Sequence, residues 1–170
     1  ALSLDRMIAP SIRRIALPFV DPAADAVAAL TRYGAAPYQF FLRLWMAEIF
    51  WSSGMTKIAT WSTTVALFQD EYQVPLLPPD VAALLGTAGE LVLPLLLALG
   101  LAGRFAAAGL SVINAVAVIS LMEVAPVALQ QHVFWGSLLV GLLLWGPGRW
   151  SLDRFVAPRL SAVTPYTRAA

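Results

Sequence analysis

Four apolar stretches of this chain, roughly 37–57, 79–101, 104–124 and 129–145, are long enough to cross the hydrocarbon core of a bilayer, which takes about 20 helical residues. This constrains the fold more than any other feature, because a backbone in lipid must satisfy its own hydrogen bonds, and a run of this length does so as a helix. The expected fold class is all-α, a polytopic membrane protein built as a four-transmembrane-helix bundle. Composition agrees: 59% of the 170 residues are hydrophobic and only 12% are charged, with a mean hydropathy of +0.75. The expected organisation is an N-terminal cytoplasmic or interfacial segment (1–36), a transmembrane domain (37–147) and a cytoplasmic tail (148–170).

Charge placement sets the orientation, since cytoplasmic loops collect Lys and Arg. Arg6, Arg13, Arg14 and Arg32 precede the first stretch, Arg149, Arg154, Arg159 and Arg168 follow the fourth, and Arg104 lies in the turn "LGLAGRF" between the second and third. Asp70, Glu71, Asp80 and Glu123 fall in the other two loops. Both termini are therefore expected in the cytoplasm, with the acidic loops in the periplasm of a bacterial inner membrane. The first twenty residues lack an uninterrupted apolar core and a small-residue cleavage site, so no cleavable signal peptide is expected. Trp51, Trp61, Trp145 and Trp150 fall near helix ends and read as an interfacial belt. "DPAADAVAALTRYG" reads as a short surface helix ended by Gly34, and "WSTTVALFQDEYQVPLLPPD" as a loop whose Val65, Leu67, Phe68 and Tyr72 pack back on the bundle.

Several chemistries are disfavoured. Zero cysteines remove a thiol relay or a chain-borne iron–sulfur cluster. The single histidine, His132, argues against a bis-histidine haem, and the carboxylates are not at metal-ligand spacing. Eleven basic and ten acidic residues make no field for nucleic acid. Neither a nucleotide loop nor a nucleophile elbow is found.

The informative residues are the polar ones inside the apolar stretches. "RLWMAEIFWSSGMTK" places Arg43, Glu48 and Lys57, the only lysine, in the first span. At 100° per residue Arg43, Phe50, Gly54 and Lys57 share a face within about 40°, and Glu48 lies nearly opposite. Charges on both sides of one helix cannot all face lipid, so this helix is expected to be central or flanked by a partner. Glu48 lies roughly 16 Å into the span at the helical rise, and Glu90 and Asn114 reach a similar depth on the next two helices. Arg43 is placed to hold Glu48 ionised. Two readings stand: a hydrogen-bonded knot that fixes helix packing, or a proton-linked or ligand-binding pocket. Lys57, Glu123 and His132 belong near the outer surface, either as interfacial solvation or as a mouth that exchanges protons with the deeper layer. In "GTAGELVLPLL", Gly86 and Glu90 share a face, and Pro94 withholds a donor from the carbonyl of Glu90. Ala107, Ser111 and Ala115 form a small-residue row for close packing, within the bundle or between protomers.

In order along the chain, "LRL" with Arg43, "SGMTK" with Gly54 and Lys57, "AGEL" with Glu90, "LGLAGRFAA" with Gly100 and Arg104, and "GPGRWSLDR" with Gly146, Gly148, Ser151 and Asp153 resemble the DoxX family of small four-helix bacterial membrane proteins. The resemblance covers most of residues 40–154 and departs at "ELVLPLLLALG", where many members have glycines after the glutamate. Some relatives look like the membrane subunit of thiosulfate:quinone oxidoreductase, and others are similar to membrane partners of thiol or oxidative-stress enzymes. The resemblance implies a quinone-linked accessory or membrane-anchor subunit of a redox complex, with a redox partner protein, a homo-oligomer, or both. Arg43, Glu48, Lys57, Glu90, Asn114 and His132 are the candidate polar pocket for a quinone or proton. The competing expectations are a small proton-linked transporter or channel and a structural scaffold.

Overall fold

The computed structural model describes residues 10–121 and 124–156. Arg6, Glu123, Arg159 and Arg168 of the orientation argument, and residues 1–9 of the signal-peptide reading, lie outside the described residues. The described chain is helical: α1 (Pro10–Ala59), α2 (Trp61–Asp70), α3 (Pro79–Leu99), α4 (Gly103–Ser120) and α5 (Pro126–Trp145). A lone antiparallel bridge joins Tyr72 to Leu121. Contacts divide the chain into two compact units, Ala1–Pro37 and Tyr38–Ala170.

Among the described residues three helices, α3, α4 and α5, are long and apolar enough to cross a membrane. They coincide with the second, third and fourth apolar stretches. The first stretch forms the C-terminal part of α1, where Arg43, Glu48 and Lys57 dilute its hydropathy. Gly34 does not end a short surface helix, contrary to the expectation; it lies inside α1, because its backbone does not enter the left-handed region that a glycine terminator uses. In this first unit Thr31 turns its hydroxyl back onto the Val27 carbonyl at 2.8 Å, and Arg32 lies 5.5 Å from the centre of the Tyr33 ring.

In the second unit, Leu42, Met46 and Phe50 bring every fourth residue of α1 into one core with Leu97 of α3, Ala106, Ala107 and Leu110 of α4, and Leu139 and Leu142 of α5. That spacing is a single helical face. Helix α4 packs against both α3 and α5, its small Ala106 and Ala107 fully buried. Of the expected small-residue row, Ala107 is inside the bundle, Ser111 is half-buried and Ala115 is exposed. The segment after α1 does pack back: α2 lies on α3, with Phe68 set against Ala82 and Ala83.

One end of the bundle is knitted together by the backbone. Helix α3 closes on Gly100, whose φ of +65° suits a residue without Cβ, with Gly100 N–H on the Leu97 carbonyl (3.0 Å) and Leu101 N–H on Leu96 (2.9 Å). Asp153, from beyond α5, then caps α4: its carboxylate accepts from Ala102 N–H at 2.7 Å and Gly103 N–H at 2.9 Å. These are amides that the first turn of a helix leaves without partners. Leu152 and Asp153 N–H donate to Leu99 and Gly100 carbonyls at 3.2 and 2.9 Å. The motifs "LGLAGRF" and "GPGRWSLDR" are thus two halves of one joint.

Candidate functional site

Lys57, in the last turn of α1, reaches across to α3. Its ammonium donates to Glu90 Oε2 at 2.5 Å and to Ser53 Oγ, one turn back on its own helix, at 2.9 Å. Glu90 is 7% exposed. The approach depends on Gly54: a Cβ there would meet Leu91 Cγ at 3.0 Å and Glu90 Cβ at 3.1 Å, so the bare backbone lets α1 lie against α3 one turn before the ion pair. The Thr64 hydroxyl donates to the Lys57 carbonyl at 3.0 Å, which ties the start of α2 to the same place.

The ion pair forms one wall of a half-enclosed cleft of about 240 Å³ between α3, α4 and the α2–α3 connection. Apolar side chains, among them Phe68, Leu85, Ile113 and Val116, make most of the lining, with Tyr72 and Ser120 as further polar groups. Tyr72 is held from both sides. Its ring packs 4.9 Å from that of Phe68, and Gln73 N–H donates to the Ser120 carbonyl at 2.8 Å. Burial, then the negative charges of Glu71 and Glu90, push the Tyr72 phenol above its ordinary pKa, so it stays a neutral donor. A cleft lined by apolar walls with a few convergent polar groups is the usual form of a small-ligand site. Its volume lies below the ~300–1,000 Å³ of drug-sized pockets, which suits a single ring or headgroup.

The other expected pocket residues divide. Asn114 and His132 pair with each other: Asn114 Nδ2 donates to the His132 carbonyl at 2.9 Å, and His132 Nδ1 lies 2.8 Å from Asn114 Oδ1. An amide oxygen only accepts, so Nδ1 carries the proton. This two-bond clamp joins α4 to α5, and neither residue lines the cleft. Arg43 belongs to the opposite end. Fully buried, it donates to the carbonyls of Trp150 and of Ala98, the latter at 3.4 Å, and lies 5.5 Å from the centre of the Phe40 ring. It therefore braces α1 against the joint made by Asp153 and, contrary to the expectation, makes no ion pair with Glu48. Glu48, expected in the polar interior, is exposed. The face that carries it also presents Phe41, Leu44 and Met55 outward.

Of the six expected pocket residues only Lys57 and Glu90 meet at the cleft, and Tyr72, expected to pack back on the bundle, joins them there as a site residue that the sequence did not single out. One signal was available: Thr64, Phe68 and Tyr72 recur every fourth residue, the mark of a helical face that must be covered. Among the described residues no three metal-ligating side chains cluster.

The family model that matches is DoxX, over residues 38–123, from the C-terminal part of α1 through α4. No curated protein and no solved structure matches the chain.

Proposed function

Taking as premise that the chain belongs to the DoxX family, we propose that it is a quinone-linked membrane subunit of a redox complex. In this reading the segment 37–57 is a fourth span, both termini are cytoplasmic and the membrane is the bacterial inner membrane. The observation that carries the reading is the Lys57–Glu90 pair facing an apolar cleft with Tyr72.

The residues fit a quinone headgroup. Lys57 and the Tyr72 phenol are donors for carbonyl oxygens, and Glu90 is a carboxylate that can hold or pass a proton. The apolar walls exclude water, and the cleft opens between helices where an isoprenoid tail meets lipid. A quinone held there would supply the two-electron chemistry, taking up two electrons and two protons, with Lys57, Tyr72 and Glu90 as the residues that would hold its headgroup. The electrons come from a partner protein's cofactor. The exposed face of α1 that carries Glu48 is where such a partner docks, because a carboxylate facing lipid costs several kcal/mol at the bilayer centre.

The test is lipid extraction and mass spectrometry of the full chain purified from its native membrane in mild detergent, alongside Val116→Trp, which fills the cleft without touching the ion pair. Stoichiometric quinone in the wild type, lost in Val116→Trp, supports the reading. A wild-type chain that carries no quinone and no redox partner sinks it in favour of a scaffold, in which the Lys57–Glu90 pair merely locks α1 to α3.

A further inference from the structure

A second recess lies at the end of the bundle where α3 turns into α4, away from the Lys57–Glu90 cleft. It is open, about 560 Å³ in volume, and lined by Arg104, Arg149 and Arg154. Arg104 is the second residue of α4, and the other two come from the segment after α5. They are neighbours because the Asp153 carboxylate and the Leu152 and Asp153 amides fasten that segment to the α3–α4 turn.

Three guanidiniums therefore share one recess with one carboxylate, and that carboxylate is committed to the Ala102 and Gly103 amides. Arg104 spends one donor on the Leu144 carbonyl at 3.3 Å. Arg149 and Arg154 are exposed, and neither has a side-chain hydrogen-bond or ion-pair partner among the described residues. Like charges held together this way call for an anion, and the guanidinium fork matches two phosphate oxygens at once.

The rim tells which anion. Trp145, 75% exposed, lines the recess itself, and Trp150 and Phe155, exposed by 58% and 62%, line an adjoining recess that shares Arg149 and Arg154. Indoles on the outside of a membrane bundle settle at the depth of the lipid headgroups. A phosphate recess lined by one such side chain and flanked by another lies level with phospholipid phosphates, within reach of a lipid whose tails run down the outer face of α5.

We propose that Arg104, Arg149 and Arg154 form a binding site for the phosphodiester of an anionic phospholipid. It is independent of the quinone reading and stands or falls separately. The experiment is native mass spectrometry of the full chain in detergent, titrated in separate arms with phosphatidylglycerol, phosphatidylcholine and inorganic phosphate. The variants are the double substitution Arg149→Gln/Arg154→Gln, which changes two exposed side chains without a partner among the described residues, and Arg32→Gln as a control far along the sequence. Each arginine near an anionic headgroup is worth roughly a five-fold change in affinity, so the double variant should bind phosphatidylglycerol about twenty-five-fold more weakly, with an unchanged melting temperature. Phosphatidylcholine should bind weakly to all three proteins, and Arg32→Gln should match the wild type. Equal binding of phosphatidylglycerol by wild type and double variant overturns the proposal. So does an equal loss in Arg32→Gln, which would mean a diffuse positive field, or displacement of the lipid by inorganic phosphate, which would make this a site for the free anion.

Discussion

Lys57→Met tests the centre of the structural argument. The substitution keeps the length and apolar stem of the side chain and removes the charge, leaving Glu90, 7% exposed, without the ammonium 2.5 Å away. Removing one partner of a buried ion pair leaves an uncompensated charge and costs about 3–5 kcal/mol. For a chain of this size that is a fall of roughly 6–20 °C in melting temperature. Replacing both partners is different in kind, because Lys57→Met/Glu90→Gln leaves no charge to strand. The double variant should therefore be more stable than Lys57→Met alone, with a coupling of about 2 kcal/mol or more in the double-mutant cycle. The assay is thermal unfolding of the four proteins in one detergent, followed by loss of monodisperse protein on size exclusion. Additive single effects, or a Lys57→Met chain within about 0.5 kcal/mol of wild type, would refute the idea that this pair is desolvated and mutual.

Two further outcomes follow from the geometry. Asp153→Ala frees the amides of Ala102 and Gly103 at the start of α4 and should cost about 1–2 kcal/mol, the loss of a helix cap; Asp153→Asn, which keeps one acceptor, should recover part of it in the same melting assay. The raised pKa of Tyr72 favours its neutral form in the folded state. Its contribution is complete below the ordinary tyrosine value of 10.0 and is lost as pH rises through the higher folded value, so Tyr72→Phe should flatten the alkaline limb of a stability–pH curve and leave the limb below pH 10.0 unchanged.

Helix positions were legible in the sequence because apolar length is a one-dimensional signal: α3, α4 and α5 coincide with runs that any transfer scale finds. The pairing of polar groups was less so. Depth along a helix can be counted at 1.5 Å per residue, and that count put Glu48, Glu90 and Asn114 in one layer. Whether two side chains meet depends on the rotation of each helix about its own axis, which one sequence does not carry. Glu48 therefore ended outside the bundle, while Lys57, at a span end where snorkelling is the ordinary outcome, folded inward to Glu90 through the gap at Gly54. Asp153 was a family-motif residue with no visible partner, because its partners are backbone amides fifty residues away.

The three charges of segment 37–57, the C-terminal part of α1, meet the same physical demand in three ways, and the differences assign them different work. A guanidinium that cannot lose its proton needs acceptors, and Arg43 finds them in the Trp150 and Ala98 carbonyls, which makes it a brace. An ammonium can be met by one carboxylate, and Lys57 is met by Glu90 at the edge of a cleft, where a ligand carbonyl has access to the same donor. Glu48 has neither solution: it is exposed, with no side-chain partner among the described residues. A second copy of the chain offers no remedy at that depth, since Arg43 and Lys57 are both engaged within their own bundle. The partner proposed for the face around Glu48 should therefore present a cation or an amide donor of its own. Glu48→Gln should leave the isolated chain as stable as the wild type while releasing that partner during purification. A partner retained at wild-type stoichiometry by Glu48→Gln and by Glu48→Leu would show that the carboxylate plays no part in docking.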